Sequence, residues 1–281
     1  MKPLRHHSLR RFTAFIMALL AAIAVAAAPK PATEPASGAK ATAEVYSVWP
    51  FDARQAANMQ KETADAVGAP KLAKVDLGGG AAIDFVLIPA GKYKTGEGAG
   101  RDVTIDKPFY LGKFTVTQAQ YAHVMGKNPS LHPGRTNPAD SIPWASAGEF
   151  ASKASEKAKK TIRLPTEAEW EWACRAGTAT RCYWGDDMKL LGKYCWWHDN
   201  CLGTTHPVGL KEPNAFGLYD MMGNVWQWCN GDGPDAAKHP VRGATFGSRE
   251  PMFKSTISLP GGAGTFKGID RFGFRVAMDV E

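Results

Sequence analysis

No pair of cysteines in this 281-residue chain is spaced as CxxC, which disfavours a structural zinc knuckle. His123, His132, His198 and His239 are scattered with no i, i+4 pair, so packed or solvated histidines are expected rather than a histidine metal site. No acid occurs in the first 28 residues, and no internal repeat is present. The longest apolar run, Phe12 to Val25, is too short for a comfortable membrane span. After the third helix start described below, no long periodic segment remains.

The missing acids explain most of the formal charge of +7. Lys2, Arg5, Arg10 and Arg11 lie in that acid-free stretch, and without it the balance falls to about +3. So small and scattered an excess excludes a phosphate-tracking surface, and no nucleic-acid partner is expected. The same stretch has the layout of a secretory signal. A basic segment ends at Arg11, the apolar run follows, and Ala26, Ala27 and Ala28 close it. The expected organisation is a signal peptide over 1–28, a flexible tether with a short helix over 29–74, and one domain over 75–281. The mature protein is expected outside the cytoplasm, periplasmic or secreted, with no stable membrane span after cleavage. No cysteine follows the apolar run, which argues against a lipid anchor.

What is abundant points to loops. Nine Trp, 29 Gly and 19 Pro accompany an ordinary 44% hydrophobic and 22% charged content. An amphipathic segment from Ala53 to Val67 predicts a helix ending at Gly68. Strands are predicted over Ile83–Ile88 and through Phe109-Tyr110-Leu111. Three capping boxes, Thr117 with Gln120, Ser146 with Glu149 and Thr166 with Glu169, predict helix starts, the third helix ending at Gly177. Of Cys174, Cys182, Cys195, Cys201 and Cys229, some are expected to pair in an oxidising compartment, with at least one left over.

Four blocks carry the identity: Phe85 to Gly91 (FVLIPAG), Arg163 to Trp172 (RLPTEAEWEW), Asn214 to Trp228 (NAFGLYDMMGNVWQW) and Gly273 to Ala277 (GFRVA). In this order they resemble the formylglycine-generating enzyme, or sulfatase-modifying factor, family over roughly Val75 to Glu281. The resemblance implies an α+β, C-type-lectin-like domain, loop-rich with a small twisted sheet. Trp170, Trp172, Trp226 and Trp228 read as packing anchors. Arg275 reads as a clamp on backbone carbonyls or a carboxylate, and His206 as a structural histidine.

The resemblance breaks where the family's chemistry sits. Its copper-holding segment resembles Arg-Gly-Gly-Ser-Trp-x-Cys with a second Cys five residues later, thiolates being the ligands that suit Cu(I). Here the segment is Arg242-Gly243-Ala244-Thr245-Phe246-Gly247-Ser248, and the second position is Phe253. No copper is expected, and no formylglycine generation. The HxxxHxE motif of the family's iron-dependent sulfoxide synthases is also missing. The family's calcium loop is matched by Asp220, Gly223, Val225 and Gln227, which leaves open either a structural calcium or a metal-free hydrogen-bonded turn.

Thr245, Phe246, Ser248, Phe253 and Lys254 are the candidate pocket residues, and Thr245, Ser248, Arg249, Lys254 and Lys267 the expected surface-facing ones. The leading expectation is an extracytoplasmic binding or accessory domain for a protein, a peptide or a glycan. The alternatives are an oxidoreductase with altered chemistry, as in the loosely similar siderophore-maturation branch of the family, and a component of an envelope assembly.

Overall fold

The computed structural model describes residues 43–96, 100–231, 239–261 and 271–281. The expected signal peptide, nearly all of the tether and Lys267 therefore lie outside the described residues. Among those described, no helix is long and apolar enough to cross a membrane.

Asp52 caps the first helix, α1 (Ala53–Val67), in a full capping box with Gln55, and Gly68 ends it in the left-handed conformation. Its apolar side buries Ala56 and Met59, and the Gln60 amide donates to the carbonyls of Leu87 and Phe216. Phe51, just before the helix, packs edge-on against Trp172. A Cβ at Gly177 would lie 2.3 Å from that phenyl ring, so this contact needs glycine. The compact unit runs from Lys40 to Glu281. It takes in α1 and the strand after it.

Strands β1 (Leu72–Asp76), β2 (Ala82–Ile88), β5 (Phe109–Gly112), β11 (Ala277–Asp279) and β6 (Ile162–Arg163) form an antiparallel sheet in that spatial order. A hairpin, β3 (Gly91–Thr95) with β4 (Arg101–Ile105), stands beside it. In the loop-rich half, β7 (Trp226–Trp228), β8 (His239–Arg242), β9 (Ser258–Gly261) and β10 (Phe272–Phe274) make a second sheet, ordered β10-β7-β8-β9. Strands of three or four residues show too few alternations to be read from hydropathy.

The helices α2 (Gln118–Met125) and α4 (Glu167–Arg175) start at the predicted boxes of Thr117 and Thr166. Helix α3 (Trp144–Ala158) does not start at Ser146; it begins straight after Pro143, with no side-chain cap. Ser146 is already inside the first turn, and Glu149 pairs with Lys153 at 2.8 Å instead of reaching back. Helix α4 ends one residue before the predicted glycine, with Ala176 itself left-handed. A short α5 (Leu191–Tyr194) completes the set.

In the core between α2, α3 and β10, Tyr121 stacks on Phe150 and Phe274 meets both rings edge-on. Trp170, Trp172, Trp226 and Trp228 are all buried, as expected. Arg275 is wholly buried and clamps carbonyls, as expected: Gly112, Tyr219 and Asp220 accept from its Nη groups at 2.8–3.1 Å, and Gln227 Oε1 from its Nε at 2.7 Å. It thereby ties the first sheet to the Asp220–Gln227 turn. Replacing it with Met strands those acceptors in the core, each a loss of about 1–3 kcal/mol. Arg275→Met should lower unfolding free energy by about 4 kcal/mol or more, read from urea denaturation.

Candidate functional site

The site is assembled from α4 and β8. Two residues of the RLPTEAEWEW block, Glu167 and Glu171, face Arg242 at the start of the altered copper segment. Arg242 binds Glu167 at 2.7 Å, Glu171 at 2.8 Å and the Ser255 carbonyl at 2.8 Å. Glu171 also accepts from Arg175 at 2.9 Å and from the Thr95 hydroxyl at 2.7 Å. Glu171, Arg175 and Arg242 are each only 2% exposed, so this is a buried chain of alternating charge. Burial pushes the Glu171 carboxyl up, but Arg242, Thr95 and Arg175 together hold it below the usual carboxylate range.

Beyond Arg242 the chain turns tightly. A Cβ at Gly243 would lie 2.4 Å from the Met221 carbonyl, and φ there is +94°. Ala244 stands where the family pattern has a second glycine and still adopts φ 62°, at a cost of about 1–2 kcal/mol. Thr245 and Ser248 close the turn on each other: Thr245 N–H donates to Ser248 Oγ at 3.1 Å and Ser248 N–H to the Thr245 carbonyl at 2.9 Å. Both are buried, as are Phe246 and Phe253. The expectation that Thr245 and Ser248 face outward is corrected, because their polar groups are consumed by the turn. Arg249 is exposed and lies against His198 at 3.2 Å. Of the five pocket candidates, Lys254 lines a cleft.

The copper positions do not fit copper. Ser248 Oγ is engaged in the turn, and Phe253 is a core side chain. Two thiols touch the segment, Cys182 donating to the Phe253 carbonyl and Cys201 to that of Phe246, each at 3.2 Å. None of the five cysteines forms a disulfide, and all are buried. The expected pairing is thus corrected: all five are free thiols. Burial pushes the Cys174 and Cys182 thiols up to about 12 and that of Cys195 well above its ordinary value, which disfavours their thiolate forms. Among the described residues no three His, Cys, Asp or Glu side chains come together as a metal-binding group. His206 stacks on Trp196 and exchanges bonds with Asn224, a structural role as expected.

Of the four calcium candidates, Asp220, Gly223, Val225 and Gln227, the last has its side chain wholly engaged. Gln227 Oε1 accepts from both Trp170 Nε1 and Arg275 Nε, while its amide N–H groups go to the Asp220 and Met221 carbonyls. All four of its hydrogen-bonding positions are taken. Asp220 Oδ2 accepts from Gly209 N–H at 2.7 Å. The Gln227 NH₂ thus sits where a carboxylate at this position would need a cation to face two carbonyl oxygens. The metal-free turn is the reading this geometry favours.

The cleft has a volume of about 460 Å³ and gathers Trp49, Lys94, Arg175, Arg181, Lys254 and Thr256. Except for Lys254, sequence reasoning missed these residues. They come from separate stretches with no common motif; the i, i+4 pairing of Glu171 with Arg175 is the single readable signal.

Two outcomes follow from these contacts. Glu171→Gln should cost about 3–5 kcal/mol at neutral pH, because Arg175 and Arg242 lose a buried counter-charge. Glu171's pKa is lowered by folding, so its contribution is present above the unfolded value and disappears as pH falls through the folded one. The gap between wild type and variant in thermal melts should therefore close in acid, below about pH 4. Gln227→Glu should cost about 3 kcal/mol and be partly rescued by millimolar calcium, whereas wild-type melting should move by less than about 1 °C with calcium or EDTA.

Comparison with known proteins agrees with this architecture. The model of the sulfatase-modifying factor enzyme 1-like domain matches residues 78–280. The chaperone protein LppX of Paenibacillus barcinonensis is 30% identical, over 52% of this chain and 70% of that protein. The formylglycine-generating enzyme of Mycobacterium tuberculosis is 36% identical, but the match spans 40% of each chain, less than half of that enzyme. The inactive Cα-formylglycine-generating enzyme 2 of Bos taurus is 26% identical over 72% of this chain and 90% of its own. The solved structure of PvdO from Pseudomonas aeruginosa superposes with a TM-score of 0.64 at 25% identity, covering 75% of this chain and all of that one. The α+β, C-type-lectin-like expectation stands, and the chain belongs to the sulfatase-modifying factor family.

Proposed function

We propose that this chain is a family member that does not generate formylglycine and works outside the cytoplasm as a binding or accessory domain. One observation carries the reading. The two positions where the family holds copper are a serine locked in a turn and a phenylalanine in the core. Neither position carries sulfur, and the nearest thiols, Cys201 and Cys182, donate to the Phe246 and Phe253 carbonyls. The scaffold meanwhile keeps a rigid charged base under an open cleft, an arrangement suited to presenting side chains to a partner. Similarity to a protein named as a chaperone and to one named as an inactive enzyme supports an accessory role. The signal-like first 28 residues support export, and five buried thiols tolerate an oxidising compartment because oxidants do not reach them. Purified protein given copper and a cysteine-bearing sulfatase peptide should consume no oxygen above background and form no aldehyde. A measurable rate of either would overturn the proposal.

A further inference from the structure

Strand β1 lies at one end of the order β1-β2-β5-β11-β6, so one of its sides pairs with β2 and the other has no strand among the described residues. Two hydrogen bonds fix which residues face which way. At one end Leu87 N–H donates to the Lys71 carbonyl at 2.9 Å, and at the other Leu77 N–H donates to the Ala81 carbonyl at 2.8 Å. Backbone groups alternate in direction along an antiparallel strand. Lys71, Ala73, Val75 and Leu77 therefore direct theirs to β2, and Leu72, Lys74 and Asp76 turn theirs outward. None of these three finds a backbone partner on that side among the described residues.

The side chains agree with an open edge. Leu72 is 58% exposed, Lys74 and Asp76 are exposed, and Ala73 and Val75 on the opposite face are half-buried against the core. Edges elsewhere are blunted: β6 is two residues long, and β9 carries Pro260, which has no N–H to offer. β1 carries instead two opposite charges, on Lys74 and Asp76.

The strand complements itself. Outward groups must meet outward groups, so a second β1 laid antiparallel can be centred on residue 73, 74 or 75. Centred on Lys74, it sets like charges face to face, which is repulsive. Centred on Ala73, it sets Lys74 against the partner's Leu72. Centred on Val75, it sets Lys74 against the partner's Asp76 on both sides of the axis, and Val75 against the partner's Val75. The exposed row then reads Asp84, Lys74, the partner's Asp76, and the half-buried row Ile83, Val75, the partner's Val75, the partner's Ile83. Asp76 Oδ1 already accepts from Gly78 N–H, which leaves Oδ2 for the lysine. A strand lacking this charge order meets an unanswered lysine, so the edge selects its own copy.

We propose that two copies of this chain associate through β1, antiparallel about Val75, joining their five-stranded sheets into one continuous sheet. The two facing pairs of Lys74 with Asp76 supply about four backbone hydrogen bonds and bury little surface, so the dimer is weak. Sedimentation equilibrium on the mature chain should show monomer at roughly 5 μM and mostly dimer at roughly 1 mM. Lys74→Pro removes an outward N–H and leaves the β2 ladder whole, so it should raise the dissociation constant roughly tenfold or more with the melting temperature unchanged. Facing residues at the axis sit about 4.5 Å apart, so Val75→Cys should give a disulfide-linked dimer with oxidised glutathione, and Ala73→Cys should not. The native thiols, all buried, do not compete. Monomer mass throughout, leaving the edge to an extended peptide of another protein, overturns the proposal, as does a dimer indifferent to Lys74→Pro. Cross-linking through Ala73→Cys but not Val75→Cys overturns the register.

Discussion

A carboxylate taken out of water obliges the fold to bring cations to it, and Glu171 is where this chain meets that obligation. Its two oxygens gather Arg175 from its own helix, Arg242 from β8 and Thr95 from β3. Three elements distant in sequence are thereby fixed at one point. Losing any one charge would leave the others buried without compensation, a much larger penalty than losing a surface pair. The turn from Gly243 to Ser248 starts at Arg242, so its shape depends on the same anchor. The cleft is framed by the far side of the network, through Arg175 and the segment after Ser255.

Much of this was written plainly in the sequence, because local rules decided it. The boxes at Thr117 and Thr166 are satisfied within four residues, and they form. Arg275 could be read as a carbonyl clamp, since an arginine in an apolar run near short strands has few other ways to be buried. Where longer-range contacts decide, local rules fail. Ser146 has the wording of a cap, yet Pro143 starts the helix first. Thr245 and Ser248 are polar and were expected outside, but each satisfies the other in a turn packed beneath His198 and Asn224. The cleft was invisible because Trp49, Lys94, Arg175 and Lys254 meet only through the topology.

Gln227 shows how one atom exchange changes what a turn requires. An amide carries donors and an acceptor, so it can face Trp170 and Arg275 on one side and two carbonyls on the other. A carboxylate carries acceptors alone and would need a positive ion between itself and those carbonyls. The same economy appears at Phe253, where an aromatic ring fills space and Cys182 merely supports its carbonyl. In both places the family scaffold persists while the side chain departs from the family pattern and is held by its own packing or hydrogen bonds.

The order β1-β2-β5-β11-β6 places residues 277–279 between strands made more than a hundred residues earlier. Among the described residues β5 and β6 share no direct ladder and are joined through β11. A growing polypeptide can therefore build the β1-β2-β5 part as it emerges, but the larger sheet stays open until its closing strand has been synthesised. Until then the sides of β5 and β6 that β11 takes have no partner strand, so the five-stranded sheet is among the last parts of the fold to close.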